Sequence, residues 1–79
     1  MAFSEKEVGL IMERMRQGNS VTHSHSGGRY SSTWSWEGDH WQLDSWEEGT
    51  SFVRQLTDDE MRAAIAAGPE ELFLKMLGR

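Results

Sequence analysis

The sequence predicts an α+β fold: a four-stranded antiparallel meander sheet with an N-terminal helix and two C-terminal helices packed on one face, in the order α-β-β-β-β-α-α. Three observations predict it. Apolar residues recur at helical spacing near both ends of the chain and at a period of two between them. Two capping boxes, "SEKE" and "TDDE", mark helix starts. Between them, Gly27-Gly28, Gly38-Asp39 and Gly49-Thr50 each suit a two-residue hairpin turn, where glycine supplies positive φ at no steric cost.

The first helix is expected over residues 5–17. Ser4 and Glu7 form its capping box, and Phe3 and Val8 have the spacing of a hydrophobic staple. Val8, Ile11, Met12 and Met15 make one apolar stripe. Arg14 and Arg16 complement the dipole at the far end, and Gly18 suits the residue just past it.

Four strands are expected over about 20–26, 29–37, 40–47 and 51–56, and the turn positions set their register. The first turn pairs His25 with Tyr30, His23 with Ser32 and Val21 with Trp34. The second pairs Trp36 with Trp41, Trp34 with Leu43 and Ser32 with Ser45. The third, placed at Gly49-Thr50, pairs Glu47 with Phe52, Trp46 with Val53 and Leu43 with Leu56. Side chains alternate along a strand and paired residues share a face. One face then carries Val21, Trp34, Trp36, Trp41, Leu43, Phe52 and Leu56, and the other Thr22, Ser24, Ser31, Thr33, Ser35, Gln42 and Asp44. The turns do not force this segregation, so turn chemistry and apolar pattern support one another.

The last two helices are expected over about 58–67 and 69–77. Thr57 and Glu60 form the second capping box, Asp58 and Asp59 fill the first turn, and Leu56 and Met61 repeat the staple. Gly68 ends this helix and Pro69 opens the next. There, Leu72, Phe73, Leu74, Met76 and Leu77 lie almost all round the segment, more apolar surface than one sheet contact needs.

A chain of 79 residues makes one small domain. At this size only ~60–65% of the unfolded surface is buried, and no cysteine is present to form a disulfide or thiolate metal site. Large rings are one remedy, and Trp34, Trp36 and Trp41 are therefore expected in the core. The absence of cysteine, of a signal-peptide pattern and of a long apolar run leads to the expectation of a soluble, cytoplasmic protein with no membrane association. A net charge of −5 disfavours a large nucleic-acid footprint and suits a basic partner.

Three groups of residues are candidates for function. Trp46 and Val53 fall on the polar face among Thr22, Ser24 and Thr33, an arrangement that resembles a protein-binding hot spot as much as an ordinary cross-strand pair. His23 and His25 share a face near Tyr30 and Glu47, which admits a weak metal or small-ligand site. His40 falls on the opposite face, so a three-histidine site does not fit the register. These residues, with Ser32, Ser45 and Arg54, form a polar extension of the helix-facing side; a solvated edge is the better reading, a pocket the functional one. The first strand, "SVTHSHS", has few features that discourage edge pairing.

No nucleophile elbow, phosphate-binding glycine loop or H-E-x-x-H motif is present, and neither catalysis nor a cofactor is expected. The expected function is a small acidic protein-protein interaction module: a regulator, inhibitor or adaptor. One form would be an acidic inhibitor of a basic enzyme. The alternatives are a metal- or small-ligand-binding protein using the His23/His25 end, and a nucleic-acid binder using exposed aromatic residues beside Arg29. A homodimer through the first strand or the last helix is a further expectation.

Overall fold

The computed structural model of the chain describes residues 3–68 and 70–78. It runs α1 (Glu5–Arg16), β1 (Val21–His25), β2 (Tyr30–Trp36), β3 (Trp41–Glu47), β4 (Thr50–Leu56), α2 (Asp58–Ala67) and α3 (Glu70–Leu74), with 3-10 turns at Ser26–Gly28 and Lys75–Leu77. The four strands pair antiparallel in the order β1-β2-β3-β4. This is the α+β architecture the sequence predicts. The last helix is shorter than expected and tightens into its 3-10 turn; its expected first residue, Pro69, lies outside the described residues.

Both helix starts form as their sequences dictate. The Ser4 hydroxyl accepts from the Glu7 N–H at 3.2 Å, and the Glu7 carboxylate accepts from the Ser4 N–H at 3.0 Å. Thr57 and Glu60 repeat the exchange at 3.1 and 2.9 Å. Each reciprocal pair satisfies two otherwise unpaired backbone donors, and a cap of this kind contributes about 1 kcal/mol. α1 ends at Arg16; Gly18, just past the cap, has a φ of 105° that favours glycine, and Asn19 Nδ2 donates to the Arg14 carbonyl at 2.8 Å.

The first two hairpins have the expected registers: His25 faces Tyr30, Val21 faces Trp34, and Trp36 faces Trp41. The third differs by two residues. Trp46 faces Ser51 rather than Val53, Glu47 faces Thr50 rather than Phe52, and Leu43 faces Arg54 rather than Leu56, which faces Trp41. The turn residues are Glu48 and Gly49, with φ of 47° and 90°, not Gly49 and Thr50. Both central residues of such a turn need positive φ; glutamate seldom adopts it, so the sequence conceals the turn. A shift of two preserves the alternation, and every side chain stays on its expected face.

The three helices cover one end of the sheet. Trp41 is 1% exposed, packed with Val21, Leu56, Ile11, Met61 and Phe73 in one core. Trp34 and Trp36 lie on the expected face but are half-buried. Trp34 meets Phe73 edge-on at 6.3 Å, and Trp36 meets Trp41 in the same way at 5.0 Å. Phe73 and Met76 are buried, so the most apolar part of the last helix is used internally, and the turn after it packs on α1. Arg14 Nη1 donates to the Met76 carbonyl and ties the two ends of the chain together.

A second tie lies at the junction of sheet and helices. Trp41 Nε1 donates to Asp58 Oδ1 at 2.7 Å, which satisfies the indole donor of the largest core side chain. The same carboxylate oxygen lies 3.4 Å from Arg16 Nη2. The Arg16 guanidinium sits 5.1 Å from the centroids of both the Trp36 and Trp41 rings. Thus the last residue of α1, the middle of the sheet and the first residue of α2 meet at one carboxylate.

Candidate functional site

The helices leave two surfaces of the sheet open. Among the described residues, no helix packs on the outer face. Its β1 and β2 portions are lined by Thr22, Ser24, Ser31, Thr33 and Ser35, and the Thr22 and Thr33 hydroxyls lie 2.9 Å apart. On the β3 and β4 portions stand Trp46 and Val53, which are 37% and 64% exposed. They are diagonal neighbours, because Trp46 faces Ser51 and Val53 faces Asp44. Diagonal positions remain within reach of a large ring. The Asp44 carboxylate accepts from Gln42 Nε2 at 3.1 Å and borders the pair. The outer face therefore presents one exposed apolar pair beside a flat field of short polar side chains.

The second open surface is the part of the helix-facing side that the helices do not reach. Across β1, β2, β3 and β4 it runs in rows: His25, Tyr30, Glu47 and Thr50, then His23, Ser32, Ser45 and Phe52. The rings of His23, His25 and Tyr30 form a ladder, with centroids 5.4 Å apart at 29° and then 5.1 Å apart at 12°. Leu43, Ser45, Glu47, Phe52 and Arg54 line a shallow concavity of about 320 Å³ on the β3–β4 side. Arg54 also approaches Glu60 at 4.0 Å.

The structure thus brings His23, His25 and Tyr30 together and keeps Glu47 beside Tyr30, in the concavity. The tyrosine hydroxyl makes a long bond to Glu48 instead, at 3.5 Å. His40 belongs to the turn at the other end of the β2–β3 hairpin and lies 2.6 Å from the Asp39 carboxylate. Among the described residues, no group of three or more histidine, cysteine, aspartate or glutamate side chains converges on one point as a metal site requires. The same residues contain no helix long and apolar enough to cross a membrane.

Phe52, expected on the face of the core residues, is 52% exposed. β4 is an edge strand on which every residue except Leu56 is exposed. Phe52 projects from one of its faces and Val53 from the other, so this edge is more apolar than β1, whose Val21 is buried. The alternation of apolar and polar residues could reveal the face of Phe52. It could not reveal how far along the strands the helices reach.

No protein-family model matches the chain, and no similar curated protein or solved structure was found.

Proposed function

We propose that the chain is a non-catalytic protein-binding module that acts as a regulator, inhibitor or adaptor and meets its partner through the outer face of the β3–β4 hairpin. The observation that carries this reading is the exposed Trp46–Val53 pair. Tryptophan provides a large, stiff contact surface, and such rings concentrate binding energy when a partner excludes water around them. The neighbouring Thr22, Ser24 and Thr33 provide short hydroxyls for the polar rim and leave the approach unobstructed. The net charge of −5 favours a partner whose contacting surface is basic. A reducing compartment such as the cytoplasm suits a chain without cysteine.

Affinity capture from the source cell, compared quantitatively between the wild-type chain and Trp46→Ala, tests the proposal. The partner should be recovered at least about tenfold less well with the variant, the loss of a hot-spot residue. Unchanged recovery with a correctly folded variant would remove Trp46 and the outer face from the account.

A second reading has its own observation. The ring ladder of His23, His25 and Tyr30 stands beside the concavity that holds Glu47 and Arg54, which gives a small polar ligand a flat apolar wall and both signs of charge. Ligand screening by protein-observed NMR tests it: a binder must shift the His25, Tyr30 and Phe52 resonances together. Nucleic acid is the least supported partner, because Asp44 borders the exposed tryptophan and the chain as a whole is acidic.

A further inference from the structure

We infer that the free edge of β4 pairs with β4 of a second copy of this chain, joining two four-stranded sheets into one continuous sheet about a two-fold axis at Val53. Glu37 N–H donates to the His40 carbonyl and Glu48 N–H to the Arg29 carbonyl, both at 2.9 Å. These bonds close the two ends of the β2–β3 ladder and fix its alternation, so the even-numbered residues of β3 turn their N–H and C=O groups toward β2. Its odd-numbered residues then turn theirs toward β4, where they meet Thr50, Phe52, Arg54 and Leu56. Ser51, Val53 and Gln55 are left with both backbone groups pointing out from the sheet edge.

That set is symmetric about Val53. In an antiparallel pair of β4 strands centred there, Val53 faces its own copy, and Ser51 faces Gln55. Every outward donor and acceptor meets an outward partner. Moving the axis one residue toward the turn strands Gln55 opposite Gly49. Moving it the other way sets two Arg54 side chains against each other and strands Ser51 opposite Thr57. An axis between residues opposes outward groups to inward ones.

The side chains favour the same centre. Arg54, the one charged residue in the strand, would face Phe52 of the second copy, where a guanidinium can lie against a ring. No like charges stand directly opposite within the pair. An interface of this kind is isologous, as a two-fold dimer requires. β4 also lacks the lysines, prolines and bulges that normally protect an edge.

Pairing at the edge leaves the outer face open, so Trp46 and Val53 of both copies would line one strip across the axis. The inference uses the same hairpin as the proposed function but does not depend on it, and the experiment separates the two. The full chain is examined by sedimentation velocity at rising concentration in about 0.15 M salt, where longer-range repulsion is screened. Amide exchange is followed by NMR on the same samples. A concentration-dependent dimer is expected, in which the amides of Ser51, Val53 and Gln55 gain protection. Val53→Pro removes the central outward donor at a position where an edge strand tolerates proline, and should weaken association at least about tenfold. Val53→Lys, which sets like charges at the axis, should do the same if the proline variant does not fold. Trp46→Ala should dimerise like the wild type even if partner capture is lost. A chain that stays monomeric at millimolar concentration overturns the inference. So does a dimer that protects β1 instead, or one that survives both Val53 substitutions.

Discussion

At the scale of single residues, Asp58 has the widest structural reach. Its carboxylate receives the Trp41 indole N–H and lies beside Arg16, which in turn covers two tryptophan rings. Removing the acceptor leaves a buried donor unpaired, and that penalty is about 1–3 kcal/mol. Asp58→Ala should therefore lower the unfolding free energy by an amount of this order, read as a lower urea midpoint, whereas Asp59→Ala, one residue along the same turn, should cost less. Equal losses would mean that the tryptophan bond contributes nothing of its own. Glu48 offers the opposite test. It holds a φ of 47° in a turn that prefers asparagine or glycine at that position. Glu48→Asn should raise stability by roughly 0.5–1 kcal/mol, measured as a higher melting temperature with an unchanged β3–β4 register.

At the scale of elements, α2 is governed by its two ends. At the start, the Thr57 backbone N–H donates to Glu60 and holds its carboxyl below the ordinary glutamate value of 4.5, with smaller help from the Thr57 hydroxyl and Arg54. A carboxyl lowered in the folded state contributes stability that is fully present above about pH 4.5 and is lost as the pH falls through the folded value. Glu60→Gln can still accept the same bond but cannot titrate. It should flatten this part of the acid-unfolding profile; an unchanged profile would show that the capping carboxylate is not what acid attacks. At the far end, Gly68 has an ordinary φ of −78° and is small for another reason. A Cβ there would stand 2.7 Å from the Ala64 carbonyl oxygen and 3.2 Å from Phe73. Gly68→Ala must distort the last turn of α2 at the Ala64 carbonyl and also crowd Phe73 of α3, and a loss of about 1–3 kcal/mol is expected on chemical denaturation. No loss would mean that the end of α2 and the Phe73 ring give way without cost.

At the scale of the whole molecule, the organising fact is that the sheet is longer than the helices that cover it. The starts of α1 and α2, the order of elements and the face of every strand residue were legible, because capping boxes, turn glycines and alternation each carry a local physical rule. Two features were not. The third turn uses a glutamate at positive φ, against local preference, so the observed register of β4 differs by two residues from the expected one. The extent of helix cover depends on tertiary packing of α1, α2 and α3 around Trp41, and no local pattern encodes it. This is why Phe52 reads as core and is found half in solvent, while Trp46 and Val53 read as outer-face residues and are found there. This cysteine-free chain concentrates its core around one tryptophan and leaves the remainder of the sheet uncovered.

The central claim is that the outer face of the β3–β4 hairpin is the binding surface. Amide chemical-shift mapping of the labelled chain with its captured partner tests it most directly. The account predicts that the shifts cluster at Trp46 and Val53 and extend across Thr22, Ser24 and Thr33. Shifts confined to α1, α2 and α3, with Trp46 and Val53 unmoved, would contradict it.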